Sequence, residues 1–383
     1  MKILYVCNNL AIPGNGISTS ARNITAALRK AGQDVRVLAG ENPDPNGLQP
    51  EFRLKQFYFP IFQPIIDANG FSYAKRDDKI IHEAVEWADI IHIEEALPIE
   101  KITMNYAEKI GKPLVGTFHM YTQNILTELP LLNTRLINKF YLWVWKKRYY
   151  NHFSDVQCPT SVVRDHLAEN GFASRLHVIS NGISIPEKKV VAKPWEGGPY
   201  RIIKIGRYAR IKHVGLLLDA MYYSRHAKEI QLVLAGNGVL EKQLKTKAAK
   251  MLEEGIISLE PEFVFLDKEG LRELARSSYL CVHAAKMEVE GLGCVEALRE
   301  GTVPVIAKGK YIGTSAYALD DRSIFRSGDA RELAEKIDWW IEHPEERNRM
   351  AQVYADKARD YDIAKSAQAL IDMYKLAIET YKK

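Results

Sequence analysis

The 383-residue sequence predicts an α/β protein of two domains, each built on a parallel sheet. Three observations carry that expectation. The chain is longer than one hydrophobic core usually holds. Short apolar runs of strand length alternate with amphipathic helical patterns in both halves. Asn181-Gly182-Ile183-Ser184-Ile185-Pro186 then leads into the largely polar stretch 188–198, as a hinge between domains does. In such sheets ligands bind outside the carboxyl ends of the strands.

The first strand is residues 2–7, a short buried-strand run. Pro13-Gly14-Asn15-Gly16-Ile17-Ser18 follows and opens an amphipathic helix carrying Ile24, Ala27 and Leu28. Gly14 and Gly16 allow close approach to the backbone, and Ser18 is placed to cap the helix. The loop lacks the full spacing of a dinucleotide fingerprint and has no phosphate-loop Lys-Ser pair. Residues 57–66 form an apolar loop whose prolines suit a central strand poorly. Its Phe59 and Phe62 are candidates for the mouth of an acyl-chain site, or for packing under a neighbouring helix.

Residues 132–153 contain five Lys or Arg and no Asp or Glu, interleaved with six Phe, Tyr and Trp up to Tyr150. Helical spacing aligns Arg135, Lys139 and Lys146, with Trp143 and Tyr150 on one side and Leu142 and Tyr149 on the other. A basic stripe edged by aromatics suits a helix lying on anionic headgroups. The same residues also fit a long first-domain helix with core aromatics and solvated cations.

Residues 200–206 are an alternating apolar strand ending in Gly206-Arg207, with Lys212 five positions on and a helical pattern (Val214, Leu217, Leu218, Ala220, Met221) after it. Arginine grips a phosphate bidentately and lysine adds a mobile point charge, so the pair suits a diphosphate. Residues 279–283 form another strand, followed by a glycine-containing turn and a helix beginning near Leu292. Its first amides and positive dipole end face an anion. Glu288 and Glu296 stand eight residues apart across that turn, with Gly291 and Gly293 between them. A carboxylate suits sugar hydroxyls better than phosphate, so the combination points to a nucleotide sugar. A strand-like run at 303–307 and an amphipathic helix at 364–381 complete the order.

Together with Asp89-Ile90-Ile91-His92, Gly116-Thr117-Phe118-His119, Val178-Ile179-Ser180-Asn181-Gly182-Ile183, Leu232-Val233-Leu234-Ala235-Gly236-Asn237-Gly238 and Gly301-Thr302-Val303-Pro304-Val305, these segments resemble the retaining GT-B glycosyltransferases of glycosyltransferase family four, most of all its lipid (diacylglycerol or ceramide) hexosyltransferases. The resemblance covers nearly the whole chain. It implies two Rossmann-like domains facing a central cleft. Residues 1–180 would be the acceptor side, with the C-terminal helix 364–383 packing back on it, and 181–363 the nucleotide-sugar side. It further implies that Gly16 approaches the donor, that Arg207 and Lys212 bind the diphosphate, and that Glu296 holds the ribose. Glu288 and His119 would meet the transferred sugar, with Gly291 and Leu292 completing the donor contacts, while His92 stays structural. The chain departs from the usual pattern in three places. Asn15 separates the first two glycines, Arg210 adds a cation beside Lys212, and Leu292 stands where many relatives carry phenylalanine. Glu290 is an alternative carboxylate at the sugar.

The four cysteines are widely spaced, which argues against a zinc cluster or disulfide framework and suits a reducing cytosol. No signal peptide is recognised and no apolar run approaches the ~20 residues that cross a bilayer. The expected protein is cytoplasmic and peripheral on the inner face of the membrane. Its donor is UDP-glucose or UDP-galactose, its acceptor a lipid, and no metal or other cofactor is expected. The net charge of +5 mildly favours an anionic surface. No nucleic-acid-reading motif accompanies the basic helix. A saccharide acceptor in polysaccharide assembly and a non-catalytic nucleotide-binding GT-B protein are the alternatives.

Overall fold

The computed structural model describes residues 1–10, 16–44, 46–60, 63, 72–126 and 133–381. Gly14 and Phe62 lie outside the described residues. The chain divides into two compact units, one comprising Met1–Gly182 with Ile363–Lys383 and the other Ile183–Asp362.

The first unit carries β1 (Lys2–Asn9), α1 (Gly16–Lys30), β2 (Asp34–Gly40), β3 (Phe52–Leu54), β4 (Gln56–Phe57), β5 (Tyr73–Ala74), α2 (Asp78–Trp87), β6 (Ile90–Ile93), α3 (Pro98–Lys109), β7 (Leu114–Thr117), α4 (Thr122–Leu126), α5 (Arg135–Arg148), β8 (Asp155–Cys158), α6 (Ser161–Glu169) and β9 (Arg175–Val178). Seven of these strands form one parallel sheet in the order β3-β2-β1-β6-β7-β8-β9. Parallel strands are buried on both faces, which is why β1 reads as an unbroken apolar run rather than an alternation. Ile3, Tyr5 and Cys7 pack with Ile24 and Leu28 of α1 and with Leu370 and Tyr374 of the C-terminal helix Ile363–Tyr381. The described part of the apolar 57–66 segment contributes only the end of β4, paired antiparallel with β5. Helix α1 begins at Gly16, so Ser18 sits buried in the first turn rather than at the cap.

The second unit carries β10 (Tyr200–Ile205), α7 (Gly215–Met221), β11 (Ile230–Ala235), α8 (Glu241–Glu253), β12 (Glu262–Val264), α9 (Lys268–Arg276), β13 (Leu280–His283), α10 (Leu292–Arg299), β14 (Val303–Lys308), β15 (Ile324–Arg326), α11 (Ala330–Glu342) and α12 (Pro344–Ala358). Its sheet is also parallel, in the order β12-β11-β10-β13-β14-β15. The larger core lies around Ile202, Leu232, Val282 and Val305, and a smaller cluster of Ile203, Val233, Cys281 and Ala297 lies on another side.

The strand order reverses at β1 in the first unit and at β10 in the second. The loops leaving neighbouring strands at such a point run in opposite directions and leave a crevice at the carboxyl ends. Gly206 and Lys212 follow β10, and Glu288 follows β13. Glu94 follows β6 and His119 follows β7.

Candidate active site

In the second unit the loop after β10 is locked to the loop after β11. Gly236 has φ +155°, and a Cβ there would lie 2.2 Å from Gly206 O, so only glycine fits. Tyr208 N donates to Asn237 O at 2.7 Å. A 3-10 turn, Arg210–Lys212, then delivers Lys212 and ends at His213 in the left-handed region, φ +46°. The loop after β13 is held in turn. Glu288 N donates to Tyr311 O at 2.8 Å and Gly313 N donates to Glu288 O at 2.6 Å, so the Glu288 backbone is fixed on both sides.

Those two loops bring Lys212 Nζ into an ion pair with Glu288 Oε2. His283 Nε2 lies 3.5 Å from the same oxygen, and Thr314 Oγ1 lies 3.2 Å from His283 Nδ1. Burial would raise the Glu288 carboxyl, but Lys212 and His283 outweigh it and hold the group well below the usual carboxylate range. Burial lowers His283 despite the carboxylate beside it, so its neutral form is favoured. Gly291 caps α10 with φ +77°, and a Cβ there would strike Thr314 Cγ2 at 2.2 Å. The first amides of α10 have no acceptor in their own helix, and they carry the positive end of its dipole. Glu296, one turn in, is half-buried, has no hydrogen-bond partner among the described residues, and is raised by burial. The cluster therefore combines cations, a fixed carboxylate and amide donors, which suits an anion carrying hydroxyl groups.

The first unit has its own polar cluster. His119 Nε2 lies 2.6 Å from Glu94 Oε1, and Tyr5 Oη donates to Glu94 Oε2 at 2.5 Å. His92 bridges Tyr374 Oη and Thr117 Oγ1, both at 2.6 Å, and its Nε2 stands 3.6 Å from Glu94. Burial raises Glu94 less than the histidines and Tyr5 lower it, so it is an anion. Burial pushes His92 down to about 4, leaving it neutral. Glu95 accepts from Asn8 N at 3.1 Å, and burial raises it to about 7.

Of the residues singled out by sequence, Lys212, Glu288, Gly291 and Leu292 come together at one place. Glu296 lies a turn along α10, and Arg207 is exposed on the loop after β10. Glu290 is buried and Arg210 exposed. Gly16 and His119 belong to the first unit, each at the carboxyl end of its sheet. The residues missed are Glu94, Tyr5, His283 and Thr314. The Ile-His-Ile-Glu-Glu end of β6 and the histidine closing β13 were their only signals.

The basic stripe is corrected. Helix α5 ends at Arg148 and a separate 3-10 turn holds Tyr150, which is buried, as is Leu142. Tyr149 Oη donates to Leu97 O at 3.2 Å. Lys146 is turned toward the first unit's own surface, donating to Asn170 O at 2.9 Å above the Phe172 ring. The outward face is instead Leu136, Phe140 and Trp143, 80%, 59% and 55% exposed, with exposed Arg135, Lys139, Lys147 and Arg148 around them. Phe59 is half-buried, edge-on to Phe57 at 4.6 Å and Tyr73 at 5.4 Å, so it packs within its own hairpin. Among the described residues no helix is long and apolar enough to cross a membrane.

Residues 14–186 match Glycosyltransferase Family 4 and residues 187–356 match Glycosyl transferases group 1. The phosphatidyl-myo-inositol mannosyltransferase of Mycobacterium leprae is 24% identical, over 98% of this chain and 96% of the relative. Sucrose-phosphate synthase of Thermosynechococcus elongatus has the same fold at a TM-score of 0.73, 15% identity, 99% of this chain and 99% of that one. Anabaena HepE in complex with UDP-glucose superposes at 0.70 with 17% identity, over 98% and 99% of the two chains. With two adjoining family matches running from residue 14 to residue 356 and two parallel α/β units of the GT-B kind beneath them, the chain belongs to the family 4 glycosyltransferases.

Proposed function

We propose that this enzyme moves glucose or galactose from a UDP-sugar to the hydroxyl of a lipid, diacylglycerol or ceramide, with retention of anomeric configuration. The observation that carries the acceptor is the outward face of α5. Three large apolar side chains there form one helical stripe, Leu136, Phe140 and Trp143, ringed by Arg135, Lys139, Lys147 and Arg148. Such a face is unfavourable in water and suited to anionic headgroups with acyl chains beneath. The Mycobacterium leprae relative, named for a phosphatidyl-myo-inositol acceptor, supports a lipid of this class.

In this reading the diphosphate binds Lys212, Arg207 and the first amides of α10, and Glu296 holds ribose hydroxyls. The diphosphate competes with Glu288 for the Lys212 ammonium, so donor binding releases the Glu288 carboxylate to the transferred sugar. By the family resemblance, His119 meets a hydroxyl of the same sugar. The leaving diphosphate, stabilised by the cations, takes the acceptor's proton on the same face, so no metal is required.

The test is to incubate the protein with UDP-glucose, UDP-galactose or GDP-mannose, each against ceramide, diacylglycerol and simple sugars in mixed micelles. Products are identified by mass spectrometry and their anomeric configuration by NMR. An α-hexosyl-lipid from a UDP-sugar is expected. Transfer from GDP-mannose alone, or to sugars alone, would overturn the donor or the acceptor half of the reading respectively.

A further inference from the structure

Lys204 is a lysine inside an apolar strand. It occupies the fifth position of β10, opposite Leu234 of β11, in the strand where the sheet order reverses, and is 1% exposed. Its ammonium donates to Ile205 O at 2.7 Å, and no carboxylate forms a salt bridge with it among the described residues. A Cβ on Gly206 would lie 3.2 Å from Nζ, so the charge sits directly beneath the turn that opens the Arg207–Lys212 loop.

A stability role does not account for this placement. Burying an ammonium without a counter-ion is unfavourable by several kcal/mol, and an apolar residue of similar length would fill the same space without that cost. One hydrogen bond to a neighbouring carbonyl uses one of three donors. The groups that act on it are those of the donor half-site. Lys212, from the 3-10 turn, opposes its charge, while Glu288, from the loop after β13, favours it. His283 on β13 in turn feels Lys204. The glutamate is already engaged by Lys212, so what the cluster lacks is an anion of its own for Lys204.

We propose that Lys204 is a third cation of the nucleotide-diphosphate site, acting from beneath Gly206, and that it takes up a proton when the diphosphate binds. The inference rests on the donor reading given above. Burial lowers Lys204 to about 8 in the free protein, with Lys212 adding to the effect. A bound diphosphate places negative charge beside it and reverses that shift. Above pH about 8 the phosphates of UDP are fully ionised, since the second ionisation of a phosphate monoester falls near ~6. The uracil N3–H begins to ionise in the same range, so the proton that goes to the protein is the uptake with UDP beyond that with uridine.

The experiment is calorimetric titration of the full chain with UDP near pH 8.5, in two buffers of different ionisation enthalpy, with uridine as the ligand lacking phosphate. Wild-type protein is expected to take up roughly half a proton or more per UDP beyond any taken up with uridine. Its affinity for UDP should weaken as pH rises from 7 to 9. Lys204→Met should bind UDP on the order of tenfold more weakly and lose the proton uptake, with uridine binding unchanged. The wild-type proton count stands whether or not that variant folds. Absence of proton uptake by wild-type protein that does bind UDP, or wild-type UDP affinity in a folded Lys204→Met, would overturn the proposal and leave the donor reading intact. Wild-type protein that binds neither UDP nor GDP would overturn the donor reading, and this proposal with it.

Discussion

Glu94 has two carboxylate oxygens and three neighbours, and that imbalance defines its role. His119 takes one oxygen, Tyr5 the other, and His92 stands at 3.6 Å without a bond of its own to it. With Glu94 ionised, His119 Nε2 must carry the hydrogen of that contact, which sets the ring's orientation. Replacing Glu94 with glutamine keeps the shape and removes the charge. We expect kcat to fall by roughly ten- to a hundred-fold with little change in donor KM. Steady-state kinetics on both substrates checks this; a pure KM effect would place Glu94 in binding instead. Glu95 behaves oppositely. Burial raises its folded-state carboxyl above the unfolded value, so the folded state holds the proton more tightly. Its contribution to stability is present below the unfolded pKa and disappears as pH rises through about 7. Glu95→Gln should therefore stabilise the protein at pH 8, on the order of 1–3 kcal/mol, and change little at pH 4. Denaturant melts at the two pH values decide it. Neither carboxylate was legible in the sequence. A glutamate after a strand looks the same whether it faces water or a histidine from the next strand, and only the β6–β7 pairing brings His119 to Glu94. Lys212 and Glu288 were legible because each occupies a loop whose glycines announce a close approach.

At the scale of the element, α5 shows what helical spacing can and cannot decide. Periodicity places the apolar residues in rows but does not say which row is the core, because α5 has two. Leu142 and Trp145 form the buried row, and Leu136, Phe140 and Trp143 the exposed one. Charge misleads for the same reason. Lys146 lies near the outward row by angle, yet its long stem carries the ammonium back to the carbonyl of Asn170 at the end of α6. The helices and strands that flank the donor half-site were more readable, since each is bounded by glycine or by a run of buried residues on both faces. If the exposed row inserts among acyl chains, truncating it must weaken membrane association. Phe140→Ser with Trp143→Ser removes two large apolar side chains and should lower binding to anionic vesicles by on the order of a hundredfold or more, at about 1.5 kcal/mol or above per side chain. Lys139→Ala should give a smaller loss that disappears in high salt. Vesicle co-sedimentation of each variant measures both. Equal binding by wild-type and double variant would move the row to another partner.

At the scale of the whole molecule, the chain order and the folding units do not coincide. The last helix, Ile363–Tyr381, follows the second unit in sequence and belongs to the first in space. Leu370, Ile371, Met373, Tyr374 and Ala377 pack with Ile3, Tyr5, Ile24 and Leu28, so the first unit's core is closed by residues more than 300 positions from its start. Tyr374 adds a polar tie, its Oη at 2.6 Å from His92 Nδ1 inside a fully buried site. The second unit, Ile183–Asp362, owns its whole sheet and its larger core. These facts give the two halves different fates when they are separated. Residues 183–362 expressed alone should unfold in one cooperative transition and keep affinity for UDP. Residues 1–182 alone should show no cooperative transition, because one face of β1 is left open to water and His92 Nδ1 is left without its partner. In the intact chain Tyr374→Phe isolates the polar part of that argument. Leaving one buried histidine nitrogen unsatisfied should cost about 1–3 kcal/mol. Circular-dichroism melts of the two fragments and of the variant test the scheme, and a cooperative melt of residues 1–182 at the wild-type temperature would show that the C-terminal helix only decorates a core already complete.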